Sequence, residues 1–73
     1  MDLTSLRCAV LTISDTRTLV NDTSGAKLCD LLTADGHLLA HRALVRDDVY
    51  AIRAQASQWI ADAHVSVILT TGG

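Results

Sequence analysis

The 73-residue chain has no phenylalanine, no proline, one tryptophan and one tyrosine. With so few rings, a core has to be assembled from Leu, Ile, Val and Ala. A chain this short forms one compact module at most, and buries only about 60% of the surface its unfolded form exposes, so marginal stability is expected. There is no basic run either. Arg7, Arg17, Lys27, Arg42, Arg46 and Arg53 are scattered under a net charge of −2, which argues against nucleic acid as a partner. No apolar stretch approaches the length of a membrane span, and Met1–Arg7 lacks the basic and apolar regions of a secretory signal. A cytoplasmic protein with no membrane partner is the expectation. Cys8 and Cys29 stand alone, without C-x-x-C spacing or further cysteines for a disulfide framework, and are expected as free buried thiols.

What is present is an alternation of elements. Arg7–Ser14 is a β-branched apolar run and reads as a buried strand. Asp22-Thr23-Ser24-Gly25 offers capping side chains to a helix over Ala26–Ala34, where Leu28, Leu31 and Leu32 share a face and Gly36 marks the stop. His37–Arg46 is a second extended segment. Asp47-Asp48 opens a second helix, with Val49, Ile52, Ala56, Trp59, Ile60 and Ala63 on one stripe. Asp47 is expected at its N-cap and Asp48 in its first turn. Val65–Leu69 is a third strand, continuing through Thr70-Thr71 into Gly72-Gly73. The pattern is β-α-β-α-β, an α/β fold whose strands run parallel with right-handed crossovers. Parallel sheets need cover on both faces. Three strands and two helices supply little of it, so residues 1–73 are expected to be the N-terminal part of a single larger domain, cut after the third strand.

In open parallel sheets, ligands bind outside the carboxyl ends of the strands. Those ends are Ser14-Asp15, Arg46-Asp47-Asp48 and Thr70-Thr71-Gly72-Gly73, all on one rim. The two glycines allow backbone N–H groups to approach a phosphate, or else simply turn the chain. Asp22–Gly25 either caps a helix or serves the same anion with that helix's N-terminus, and the two are compatible. Asp47 is suited to capping or to Mg²⁺. His37 and His41, four apart on a strand, should face one side and lack further ligands for a metal, so a solvated strand face is expected. His64 falls in a loop. With no His at the rim, Ser-His-Asp or Cys-His hydrolysis is disfavoured. Trp59 belongs to the core by its place on the apolar stripe.

The chain resembles the N-terminal half of the molybdenum cofactor biosynthesis MoaB/MogA family, which also includes the gephyrin N-terminal domain. The likeness is carried by Ala9-Val10-Leu11-Thr12-Ile13-Ser14-Asp15, Asn21-Asp22-Thr23-Ser24-Gly25, Tyr50–Gln55 with Trp59-Ile60-Ala61, and Ile68-Leu69-Thr70-Thr71-Gly72-Gly73. Tyr50–Trp59 resembles the MoaB branch in particular. The resemblance implies a three-layer molybdopterin-binding domain of about twice this length, forming trimers or hexamers, whose active members adenylylate molybdopterin with Mg²⁺ and ATP. It implies that Thr71, Gly72 and Gly73 begin a T-G-G-T-G loop for phosphate or pterin. It also implies that Asp47 is the acidic residue of the adenylylation site, catalytic and on the metal. Asp22, Ser24 and Gly25 flank it, and Ser14 and Asp15 end the first strand of the same pocket. The rest of the loop and the acidic residue after it are absent, so this fragment by itself is expected to be inactive.

Two other readings compete. One is a pterin-binding or assembly protein of the same family that does no chemistry. The other is a phosphoacceptor receiver domain, which shares the doubly wound topology but wants an Asp at the end of the third strand, where Thr70-Thr71 stands.

Overall fold

The computed structural model describes residues 5–72. Five elements follow in the expected order: β1 (Arg7–Ile13), α1 (Thr23–Ala34), β2 (Leu38–Val45), α2 (Val49–Ile60) and β3 (Val67–Gly72). The strands form one parallel sheet in the order β2-β1-β3. The chain therefore steps outward from β1 to β2 and returns across β1 to β3. With right-handed crossovers, two steps in opposite directions place α1 and α2 on opposite faces. Strand β1 is covered on both, which is why it reads as an unbroken apolar run. Ala9, Leu11 and Trp59 form the buried cluster on the α2 face, with Ile13, Ala43, Val45, Ile52, Val65 and Ile68 packed around it. On the other face Thr12 meets Asp22 at the start of α1. Cys8 and Cys29 are buried free thiols, and burial pushes the Cys29 thiol upward.

The helix ends follow from local chemistry. Asp22 is the N-cap of α1, accepting from the Gly25 N–H, so the helix begins three residues before Ala26. At the other end Gly36 takes φ +87°. The Gly36 N–H donates to the Thr33 carbonyl at 3.1 Å and the His37 N–H to that of Leu32 at 3.0 Å, the paired closure that a left-handed residue permits. The N-cap of α2 is Asp48, whose extended backbone and Oδ1, accepting from the Tyr50 N–H at 3.1 Å, perform the role expected of Asp47. Asp47 lies one residue outside the helix.

Three further expectations are corrected. The stripe on α2 is narrower than expected: Trp59 is 4% exposed, but Val49 and Ile60 are 59% and 76% exposed, since they sit about 60–80° round the helix from the Ile52–Trp59 line. Strand β3 begins at Val67 rather than at Val65, and it continues through Thr70 and Thr71 to Gly72. His37 and His41 do not share a face. Cys8 pairs with Leu39 but Ala9 with His41, so Ala40 is a bulged residue and every later side chain of β2 changes sides. His41 consequently stacks on Trp59, with centroids 6.0 Å apart, and lies 2.9 Å from Asp62 Oδ2. His37 precedes β2, and its Nδ1 accepts from the Leu6 N–H. Hydrogen bonds from the His64 N–H and from His41 hold the Asp62 carboxyl below its ordinary range. No helix among the described residues is long and apolar enough to cross a membrane.

Candidate functional site

Ile13 pairs with Val45 on one side and with Gly72 on the other. The three strand tips thus stand in one row, with β1 in the middle. Because the chain leaves β1 for α1 on one face and reaches β3 from α2 on the other, the topological switch point of this sheet, where folds of this kind bind ligands, lies between the tips of β1 and β3.

Each tip is held by named contacts. Ser14 is buried, and its N–H extends the ladder to the Val45 carbonyl at 2.9 Å. Its Oγ accepts from the N–H groups of Thr16 and Arg17, which turns the chain away from the sheet. Asp15 Oδ1 accepts from the Asp47 N–H at 3.0 Å and lies 4.0 Å from Arg46 Nε, so it staples the β1 tip to the β2 tip. The Asp47 side chain is exposed, and no protein donor reaches its carboxylate among the described residues. Relieved of capping by Asp48, Asp47 offers an uncommitted anion at the rim. It lies on the far side of β1 from Gly72, however, and a ligand touching both has to bridge the β1 tip.

Asp22 is built inward. It is 2% exposed; Oδ2 accepts from Thr12 Oγ1 at 2.5 Å and from Arg42 at 3.3 Å, and Oδ1 from the Gly25 N–H at 3.0 Å. Burial alone would push its carboxyl up, but the bonds from Thr12, Gly25 and Arg42, with the guanidinium charge, bring it below the usual range. Both oxygens are engaged, so neither is offered to a ligand at the rim. Gly25 belongs to the same socket: a Cβ there would collide with Asp22 Oδ2 and stand 2.6 Å from Thr12 Oγ1. The missing side chain makes room for the Asp22 carboxylate. Of this segment, Thr23 and Ser24 face outward, and Arg17 reaches Thr23 Oγ1 and the Asn21 carbonyl.

Gly72 is the opposite case. A Cβ on it would meet nothing within 4 Å, and its backbone does not require glycine. Thr71 pairs with Thr12 and is half-buried. Gly73 lies outside the described residues. Thr12 and Arg42 escaped the sequence reading, although an arginine inside a strand otherwise ending Ala43-Leu44-Val45 was a signal. A shallow apolar depression lined by Leu31, Leu32, Ala34, Asp35 and His37 lies beside the C-terminus of α1, at the other end of the sheet from these groups.

A parallel sheet with helices on both faces and polar groups gathered at its strand tips defines an α/β ligand-binding domain. The comparisons narrow the class. Residues 9–73 match the family described as "Probable molybdopterin binding domain", and the chain belongs to that family. It is 48% identical over 67 residues to molybdenum cofactor biosynthesis protein B of Escherichia coli (strain K12), covering 92% of this chain and 39% of that protein. To the protein of that name from Staphylococcus carnosus it is 46% identical over 70 residues, covering 93% and 41%. A crystal structure of a molybdenum cofactor biosynthesis protein B superposes with a TM-score of 0.91 at 36% identity, over 96% of this chain and 44% of that one. The chain thus spans about two-fifths of the length of these curated relatives.

Proposed function

We propose that the strand-tip crevice binds molybdopterin, and that in a protein of the relatives' full length it serves Mg²⁺- and ATP-dependent adenylylation of molybdopterin. The observation that carries this reading is the contrast between two glycines. Gly25 is explained by packing, while Gly72 stands at the β3 tip with open space where a side chain would go and no backbone need for glycine. A glycine that the fold does not require, at the mouth of the crevice, suits close approach of main-chain N–H groups to a phosphate.

In this reading Gly72 and Gly73 turn N–H groups toward phosphate oxygens of the pterin or nucleotide, and Ser24 and Thr71 add hydroxyls. Ser14 and Asp15 fix the floor between them. Asp47 supplies the free carboxylate. No three ligating side chains converge among the described residues, so the rim fits Mg²⁺ carried in by nucleotide phosphates and completed by Asp47, as that ion commonly binds. When bound, the ion would neutralise charge on the transferring phosphoryl group. The protein's own share is alignment of the pterin phosphate with the α-phosphorus, and N–H donors fixed in advance. Homo-oligomeric assembly as trimers or hexamers and a cytoplasmic location belong to the same proposal. A second reading, in which the protein binds pterin without consuming ATP, is separated from the first by the same experiment.

The test is pyrophosphate release from ATP in the presence of molybdopterin, by the full-length protein and its Asp47→Asn variant. The variant should lose about 100-fold or more in rate, a loss of the size seen when one electrostatic group is removed from a phosphoryl or acyl transfer site, and keep its fold. Turnover at the unaltered rate rules Asp47 out; tight molybdopterin binding without pyrophosphate release by the unaltered protein favours the second reading.

A further inference from the structure

We propose that Arg42, a residue of β2 outside the rim, is a positioning residue for the strand-tip site, acting through Asp22 on the first turn of α1; this rests on the reading of that site as a pterin-binding crevice.

Arg42 Nη2 donates to the Asp22 carbonyl oxygen at 3.1 Å and to Oδ2 at 3.3 Å, so it grips both the main chain and the side chain of the capping residue. The same Asp22 carbonyl accepts from the Ala26 N–H, closing the first helical turn. Thr12 and Gly25 contribute neutral donors to Asp22, and Arg42 is the cation paired with it. Burial pushes the Asp22 carboxyl up, and the bonds from Thr12 and Gly25, joined by the bond and charge of Arg42, bring it down. Arg42 alone among these partners also holds the Asp22 main chain, and an anion at a helix N-terminus strengthens that end of the helix.

Arg42 Nε is buried without a hydrogen-bond partner among the described residues. Buried donors are almost always satisfied. The guanidinium is therefore placed to serve Asp22 and leaves one of its own donors unmatched, an arrangement that favours geometry at residue 22 over the stability of Arg42 itself.

The consequence falls on Ser24. Asp22 and Gly25 are turned inward by this socket, and Ser24, between them, is turned out. Thr23, Gly25 and Ala26 each donate their N–H within the protein, to the Asn21 carbonyl, Asp22 Oδ1 and the Asp22 carbonyl. Ser24 is thus left to meet the ligand with its hydroxyl and its N–H, and its position is set by the hold of Arg42 on residue 22. Both bonds leave the one Nη2, so lysine, with its charge and three donors on a single nitrogen, can replace most of this hold.

The experiment has two arms on the full-length protein. Amide hydrogen exchange compares the first turn of α1 with α2 and β1, and titration with molybdopterin gives Kd. In Arg42→Met, amides of residues 25–27 should exchange at least tenfold faster while those of α2 and β1 hold, and Kd should rise at least tenfold. Arg42→Lys should recover most of both. Thr12→Val, which removes a neutral donor to the same oxygen and leaves the ion pair, should move both in the same direction by less; it decides the matter if Arg42→Met does not fold. If amides rise together across the protein and Kd is unchanged once the unfolded fraction is removed, Arg42 is structural and the proposal is overturned. If the unaltered protein does not bind molybdopterin, the crevice reading falls, and the exchange arm still decides whether Arg42 holds the cap.

Discussion

Replacing Gly25 with alanine sets two effects of opposite sign against each other. By propensity alone the change should help, since alanine is favoured over glycine in a helix by up to about 1 kcal/mol. The socket says otherwise. The new Cβ would strike Asp22 Oδ2 and come within 2.6 Å of Thr12 Oγ1 and 2.8 Å of Asp22 Cγ, so the carboxylate must swing out of its place. That motion breaks the Thr12 bond to a buried charge, worth about 1.5–3 kcal/mol, and the cap on the Gly25 N–H, worth about 1 kcal/mol. After the propensity gain, the net loss is about 2 kcal/mol. Seventy-three residues carry only about 4–11 kcal/mol of folding stability in all. Urea denaturation followed by far-UV circular dichroism reads the effect directly. With a slope of about 1 kcal/mol/M, the midpoint should fall by about 2 M. A midpoint equal to or above that of the unaltered chain would show that the Asp22 socket does not constrain residue 25.

Four other outcomes follow from the same contacts. Gly36→Ala should lose about 1 kcal/mol by urea melting, because φ +87° suits glycine and strains a residue bearing a Cβ. Gly72→Ala should change stability by less than about 0.5 kcal/mol, as an unconstrained surface site does, yet weaken molybdopterin binding measured by titration. Leu11→Ala removes a fully buried side chain at the centre of β1 and should cost about 2–5 kcal/mol, enough to unfold much of the population in a thermal melt. The Asp22 carboxyl sits below its ordinary 3.8 in the folded chain, so its contribution is complete above about pH 4 and is lost as pH falls through the lower folded value. Urea midpoints at pH 7 and pH 3 should differ less in Asp22→Asn than in the unaltered protein; Asp62, shifted in the same direction, accounts for part of the dependence that persists.

Most of the fold was legible in residue order. Extended segments at Arg7–Ser14, His37–Arg46 and Val65–Leu69, helical spacing between them and a glycine at 36 suffice for β-α-β-α-β and for the three tips on one rim. The misses share one cause, which is that they depend on neighbours distant in sequence. Nothing local marks Ala40 as a bulge, because the register slip exists only against Cys8 and Ala9. The choice between Asp47 and Asp48 as cap is made by Asp15, which takes the Asp47 N–H from 32 residues away. Asp22 reads as a helix cap from spacing and is one; the socket that Thr12 and Arg42 close around it and Gly25 is invisible in the segment itself, because both partners come from other elements.

Strand β3 has consequences for how residues 1–73, made by themselves, behave at high concentration. Val67–Gly72 carries no charge and no proline, and among the described residues its outer edge has no neighbouring strand. Rows of unpaired amides on an uncharged, β-prone hexamer invite copies to zip together edge to edge. Such stacking would compete with every folding measurement above, and a lysine at the exposed Thr70 is the gatekeeper that should suppress it without touching the core.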